Sequence, residues 1–428
     1  MIIEDSIHMK TTRREFLKLS AAGTLGGPAL ITAGGGPVEK GSTTDYSAID
    51  AAMARPVLRS ELFPDPVIME KVELLRYEDN FLCRVRSADG AEGIAVSNNN
   101  QMVSLYPIFI NRLQPFFIGK DARSWERLIE EVYVYQSNYK LQSLALWVPL
   151  ATLEFAVLDM LGKIAGKPIG ELIGKIHHPH IDVYQANNFR GRSAEESIEL
   201  IKEQVEETGA RALKFKVGGR MSHREEPPGR TEKMIPMVRE TFGSDMVIYA
   251  DSNGSYNVEE AIRIGRIMEQ YRYDFFEEPV PFDWYGETIQ VADALEIPVA
   301  GGEQESGLHA FRWLTGNNAL QVVQPDIFYF GGMVRSMKVA RMAEATGKIC
   351  TPHISGSGLG YLYMMHFVSV LPNAGPFHEF KGFNRDIPME SPTSSLSGEN
   401  GRVKVPTGPG LGVAIDPGFI AKHRPVGI

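Results

Sequence analysis

The chain has 428 residues, 43% of them hydrophobic and 23% charged, which is enough apolar material for more than one packed domain. Its formal net charge of −9 argues against a nucleic-acid partner, because no basic excess is present to neutralise phosphates. Only Cys83 and Cys350 occur, so a disulfide framework is excluded and both read as small buried hydrophobes.

Residues 1–35 are predicted to be a twin-arginine export signal. Arg13 and Arg14, followed by Phe16, Leu17 and Lys18, precede the modestly apolar stretch 19–33, which contains Gly23, Gly26 and Gly27. That stretch is too short and too rich in glycine to span a bilayer, so no membrane insertion is expected. Met9 is an alternative start, and Ile31-Thr32-Ala33 is the nearest small-residue cleavage pattern. A plain basic tail is the competing reading. Export would make the protein periplasmic and the twin-arginine translocase a transient partner. Residues 36–65, frequent in small residues, glycine and proline, are predicted to be a linker.

Residues 66–180 are predicted to form an α+β domain. Apolar and polar residues alternate from Val67 and again from Phe81, with turn residues at Glu78-Asp79-Asn80 and Asp89-Gly90, which predicts antiparallel strands. Helical spacing follows over 106–117, 124–135 and 149–165, the last stopped by Gly166-Lys167-Pro168.

From 181 to 390 the pattern becomes strict alternation. Eight short apolar runs begin near 181, 212, 246, 273, 297, 320, 348 and 375, with helical segments between them. Eight strand and helix units over about 200 residues match a (β/α)8 barrel of the TIM type. An open doubly wound sheet is the competitor, but it calls for a glycine-rich phosphate loop after the first strand, and Asn187-Asn188-Phe189-Arg190-Gly191 is not one. The segment 391–428 is loop-rich, contains Gly408-Pro409-Gly410-Leu411-Gly412-Val413, and is predicted to pack back on the first domain.

Polar residues recur singly at the carboxyl ends of the barrel runs, the end that carries the active site in such barrels. Asp251, Glu277 and Glu303 follow one another at intervals of 26 residues, about one β/α unit. Singly, each could be a helix cap or ion-pair partner. Together, three carboxylates at one barrel mouth repel unless a cation neutralises them, and an all-oxygen set favours Mg²⁺, with Mn²⁺ as the alternative.

Lys214 and Lys216 alternate on one strand and so share a face. Like-charge repulsion and burial should depress one of the two pKa values, which makes Lys216 the candidate base and Lys214 a group that tunes it and holds a substrate carboxylate. A solvated Lys-x-Lys edge is the plainer reading. His353 follows Asp326 by 27 residues, again about one unit, so the carboxylate should sit beside the imidazole and fix its tautomer. Lysine and histidine on opposite sides of a metal suit removal of a proton α to a carboxylate.

The ordered set Lys214-x-Lys216, Asp251-x-Asn253, Glu277-Glu278-Pro279, Gly302-Glu303, Gln324-Pro325-Asp326, Pro352-His353 and a final Glu379 resembles the enolase superfamily, in particular its mandelate racemase group. The resemblance covers roughly 66–420. It implies a modified TIM (β/α)8 barrel with an N-terminal α+β capping domain, with Mg²⁺ held by Asp251, Glu277 and Glu303. It further implies Lys216 as one base, His353 with Asp326 as the other, and Glu379 bonded to the ene-diolate oxygen. Asn253 and Lys214 would touch substrate, with Asn187 as a further contact, and the protein would be a homo-oligomer. Dehydration of a sugar acid to a 2-keto-3-deoxy acid is the leading expectation. Racemisation or epimerisation of a 2-hydroxy acid is the second, and an exported sugar-acid binding protein without turnover the third.

Two features depart from that pattern. Residues 218–230, with Glu225-Glu226-Pro227-Pro228, form a polar insertion at the active face, read either as a specificity loop or as a tolerated excursion. The turn at Glu78-Asp79-Asn80 is short, so Asn98-Asn99-Asn100-Gln101 is expected to contribute more to the mouth. His177-His178-Pro179-His180 reads as an inter-domain connection and not as a metal tract.

Overall fold

A computed structural model of the chain describes residues 44–355, 359–380 and 387–427; the predicted export signal lies outside the described residues. The chain enters through α1 (Ser47–Ala54), which does not match the predicted linker. Its apolar positions Ile49 and Ala52 are buried, Asp50 pairs with Arg312 through two hydrogen bonds, and Asn317 donates to the Tyr46 hydroxyl at 2.7 Å. A short apolar stripe inside a stretch frequent in small residues, glycine and proline was enough to dock this segment on the barrel helices, and composition alone hid it.

Three antiparallel strands follow: β1 (Met69–Tyr77), β2 (Asn80–Ser87) and β3 (Glu92–Val96). The alternation that predicts them is met only in part: Val72, Leu74, Phe81, Cys83 and Val85 are buried as it requires, but Leu75 and Leu82 on the alternate positions are buried too. Helix α2 (Asn99–Ile108) starts earlier than its spacing suggests because the Asn98 side chain caps it, accepting from the Gln101 amide. Then come α3 (Trp125–Val134), α4 (Leu144–Ala165) and the short α5 (Ile169–Ile173).

Helix α4 is 22 residues long and apolar enough to cross a membrane by length and composition. Within the protein 89% of its apolar window is buried, so it is a core helix, hydrophobic all round because the sheet covers one side and the barrel another. Strand β3 crosses it at Gly93, where a Cβ would lie 2.0 Å from the Ala156 carbonyl oxygen; only glycine allows that approach.

Among the described residues, eight parallel strands build the barrel. They are β4 (His180–Ala186), β5 (Ala212–Lys216), β6 (Val247–Asp251), β7 (Phe275–Glu277), β8 (Val299–Gly301), β9 (Val322–Val323), β10 (Ile349–Cys350) and β11 (His378–Phe380). Their order runs β10 to β4 and on to β11, and a parallel bridge between Cys350 and Ala374 joins the ends. Helices α6 (Ala194–Thr208), α7 (Arg230–Phe242), α8 (Val258–Gln270), α9 (Tyr285–Ala294), α10 (Leu308–Gly316), α11 (Met333–Ala345) and α12 (Leu359–Val368) connect them. Alternation sorts the side chains. Leu213, Phe215, Ile248, Ala250 and Phe276 pack outward under the helices, whereas Ala212, Tyr249 and Phe275 fill the interior.

After β11, among the described residues, the chain returns without a barrel helix. Strand β12 (Met389–Glu390) pairs with β14 (Ala414–Ile415), while β13 (Arg402–Lys404) adds antiparallel to β4 and clamps Asp182 through Arg402. The chain ends on α13 (Pro417–Lys422) and β15 (Arg424–Pro425), which joins β1 of the first domain. The tail therefore ties both domains.

Candidate active site

Register brings the site together. Lys216 lies opposite Asp251, and Asp251 opposite Glu277, so three neighbouring strands end in one polar layer. Glu303 arrives differently: Ala300 is the residue opposite Glu277, and the chain must pass Gly301 and Gly302 before Glu303 turns into the same space. Gly302 has φ +105°, and a Cβ there would meet the Phe311 ring at 2.6 Å, so glycine is required to make that turn. The even 26-residue intervals thus conceal two different routes to one site.

Ligand oxygens of Asp251, Glu277 and Glu303 lie within 4.8 Å of one another, and all three residues are buried. This is the set expected from sequence, and the all-oxygen donors fit a hard divalent cation. The electrostatics agree. Burial, then the Asp251 and Glu303 carboxylates, push the Glu277 carboxyl above its ordinary range, with Lys214 opposing. At Asp251 burial works the same way, but the Lys216 and Lys214 ammonium groups prevail and hold the carboxyl low. Gln324 donates to Glu277 Oε2 at 2.9 Å and orients it. Its position in Gln-Pro-Asp is visible in sequence, though a role for it is not.

The two lysines share the inward face, as their spacing requires, but not the expected electrostatics. Each has its own carboxylate: Lys216 Nζ bonds Asp251 Oδ2, and Lys214 Nζ bonds both oxygens of Glu277 at 2.7 and 2.8 Å. Despite burial, Lys214 is held well above its ordinary pKa by Glu277, Tyr184 and Glu379, opposite to the depression expected from lysine repulsion. Its side chain is 0% exposed and packed over the Tyr184 ring at 5.2 Å. Pairing with carboxylates outweighs both desolvation and like-charge repulsion here.

At the other end of the layer, His353 Nδ1 bonds Asp326 Oδ2 at 2.7 Å, and its Nε2 lies 3.3 Å from Glu303 and 3.5 Å from Glu379. Asp326 and His353 form a parallel bridge, the adjacency that their interval predicts. Burial opposes a charge on the ring, but Glu303, Glu379 and Asp326 raise its pKa to about 9. Asp326 also accepts from the Phe328, Tyr329 and Ser355 amides, which fixes the carboxylate that fixes the imidazole.

The expected substrate contacts fare less uniformly. Asn253 sits at the mouth with φ +44°, its side-chain oxygen accepting from Arg190 at 2.9 Å. Asn187 is buried and spends its amide on the Lys214 carbonyl and the Phe189 amide, a structural use. From the first domain, Asn98 donates to Ser355 Oγ at 2.9 Å, so that segment does reach the barrel mouth beside His353. In the insertion, Glu225 accepts from the Thr231 amide and Met221 donates to the Asn253 carbonyl, which lays 218–230 against the mouth. His178 bonds the Leu371 carbonyl, consistent with a connecting segment.

A parallel barrel with a metal-type carboxylate triad at its carboxyl end and a lysine and a histidine flanking it defines an enzyme of the carbon-acid class. Residues 196–419 match the model of the enolase C-terminal domain-like family, and the chain belongs to that family, within the enolase superfamily. Its curated relatives include arabinonate dehydratase of Saccharolobus solfataricus, 26% identical over 73% of this chain and 81% of that protein. D-galactarolactone cycloisomerase of Agrobacterium fabrum is 28% identical, over 72% of this chain and 82% of that one. Among solved structures, the mandelate racemase/muconate lactonizing protein of Paracoccus denitrificans complexed with magnesium superposes with a TM-score of 0.75 at 27% identity. The match covers 84% of this chain and 99% of that one.

Proposed function

We propose that the protein dehydrates a sugar acid to a 2-keto-3-deoxy acid. The observation that carries the proposal is the bracket: Lys216 meets the carboxylate triad at Asp251, His353 meets it at Glu303, and four strands, β6 to β9, separate them in the sheet. Lys216 takes the proton α to the carboxylate. His353, held by Asp326, gives its ring proton to the β-hydroxyl, which leaves as water, and the resulting enol tautomerises to the ketone. Glu379, at the His353 edge of the layer, hydrogen-bonds the substrate oxygen that gains charge. Asp251, Glu277 and Glu303 would hold Mg²⁺, which when bound would supply positive charge to stabilise the anion formed from the substrate carboxylate. The arabinonate dehydratase relative favours this outcome.

The same bracket supports a second reading, racemisation or epimerisation, in which the two groups exchange a proton across opposite faces. The test is a panel of aldonates and aldarates with Mg²⁺ in D₂O, reading 2-keto product and deuterium at Cα. Keto product abolished by Lys216→Ala and by His353→Asn supports dehydration. Deuterium uptake without loss of water sinks dehydration in favour of the second reading, and the absence of both sinks the enzyme assignment on these acids.

We also propose export by the twin-arginine route to the periplasm and assembly as a homo-oligomer. Arg13 and Arg14 ahead of a weakly apolar run support the first, and the family resemblance supports the second. Retention of periplasmic location in the Arg13→Lys, Arg14→Lys double variant would refute the route, and a monomeric mass by light scattering would refute the assembly.

A further inference from the structure

Strand β5 carries Lys216, but its partner β4 stops short. The β4–β5 ladder ends at Ala186 and Lys214, so beyond that point the Lys216 carbonyl has no β4 amide to bond, and the carbonyls of Val217 and Gly218 lie past the last residue of β5. Buried carbonyls need donors. Two guanidinium groups provide them. Arg230 Nη1 donates to the Lys216 carbonyl at 2.8 Å; Arg190 donates through Nη2 to Val217 at 3.0 Å and through Nε to Gly218 at 3.1 Å.

Arg190 also reaches the third strand, donating to the Asp251 carbonyl at 3.2 Å and to Asn253 Oδ1 at 2.9 Å. The loop that carries Arg190 is fixed in turn, because Arg230 donates to the Phe189 carbonyl at 2.6 Å and to the Arg192 carbonyl at 3.0 Å. Arg230 is 3% exposed. With its Nε and both terminal nitrogens engaged, Arg190 is not arranged to grip a substrate carboxylate; its geometry suits holding backbone.

We propose that Arg190 and Arg230 are positioning residues that brace the end of β5 and thereby set where Lys216 Nζ stands relative to the α-proton. The proposal rests on Lys216 being the base of the proposed reaction. Lysine cannot substitute for either arginine, since a single ammonium cannot span carbonyls on separate segments.

The test uses the full chain with Mg²⁺. Amide hydrogen exchange over 213–220 is expected to quicken about tenfold in Arg190→Gln and in Arg230→Lys, while exchange in β7 to β9 stays at the wild-type rate. Over the acid panel, kcat is expected to fall about 10²-fold with KM nearly unchanged, because a displaced base leaves ground-state binding intact. Added guanidinium ion at millimolar concentration should recover part of kcat in Arg190→Ala.

Lys216→Met separates the two claims. It should abolish α-proton exchange and leave amide exchange over 213–220 unchanged. If α-proton exchange persists in Lys216→Met, the base assignment fails, and amide exchange alone then judges the brace. If Lys216→Met is inactive but Arg190→Gln keeps wild-type kcat and amide exchange, the brace is overturned. Uniformly faster exchange across all barrel strands in the arginine variants also overturns it, since that would be general destabilisation.

Discussion

Replacing Glu154 by glutamine tests how the first domain is fastened to the barrel. Glu154 lies on α4, fully buried, and accepts from the Trp125 indole at 2.7 Å and from the Val334 amide at the start of α11 at 3.1 Å. Burial pushes its carboxyl up to about 7, with the Trp125, Val334 and Met333 N–H groups and Arg335 opposing. The sign follows from linkage: between the unfolded value of 4.5 and the folded value of about 7, the unfolded chain ionises and the folded one does not, so stability falls as pH rises through that window. Integrated from pH 5 to pH 8, the loss is roughly 2 to 3 kcal/mol. Glutamine resembles the neutral acid and carries no such slope. Urea unfolding of wild type and Glu154→Gln should therefore give similar stabilities at pH 5 and a variant more stable by roughly 2 to 3 kcal/mol at pH 8, relative to the pH 5 difference. Because other titrating groups are common to both chains, their contributions cancel in the difference. A difference that is flat with pH to within about 0.5 kcal/mol would refute the reasoning.

Asp326→Asn should lower kcat by about 10³-fold or more, since an amide accepts through only one terminal atom, whereas Asp326 accepts from the Phe328 and Tyr329 amides at Oδ1 and from His353 Nδ1 and the Ser355 amide at Oδ2; kcat within tenfold of wild type would count against the dyad. Acid should weaken the fold through two histidines buried in neutral form. Burial lowers His366 to about 4 and His378 to about 3, so their stabilisation is complete above the unfolded value of 6.5 and is lost as pH falls toward those numbers. Stability measured from pH 7 to pH 4 should fall less steeply in a His366→Gln, His378→Gln double variant, and an unchanged slope would remove both from the account. Mg²⁺ at about 100 times its dissociation constant should raise stability by about 2.7 kcal/mol, and Glu277→Gln should abolish that gain. Thermal melts with and without EDTA check it, and identical melts would speak against a metal at the triad.

Much of the barrel was legible because its strands are buried on both sides and its helices carry long apolar stripes. Alternation at Leu213, Phe215 and Val217 against Lys214 and Lys216 is the inside and outside of a β/α barrel written in five residues. The triad and the Asp326 and His353 pair were legible through spacing, because one β/α unit has a nearly constant length. Helix α1 was not, since its docking depends on Arg312 and Asn317 more than 250 residues away. The pairing of each lysine with a carboxylate was not either: sequence puts two ammonium groups on one face, but only register puts Asp251 opposite Lys216.

The arginines show the same limit from the other side. Arg190 stands in a loop that sequence reading dismissed as lacking phosphate-binding glycines, and Arg230 closes an insertion with no clear periodicity. Their importance comes from a shortage that only the sheet reveals: no β4 amide stands opposite Lys216, and the carbonyls of Val217 and Gly218 lie past the end of β5. The two ends of the site are consequently held by unlike means. His353 is oriented through its side chain by Asp326, so its position is sensitive to one carboxylate. Lys216 is oriented through its backbone by Arg190 and Arg230, leaving its side chain to meet Asp251 and the substrate. A substitution at Asp326 should therefore disturb proton donation from the histidine, whereas one at Arg190 should disturb removal of the α-proton, and D₂O exchange resolves the two steps.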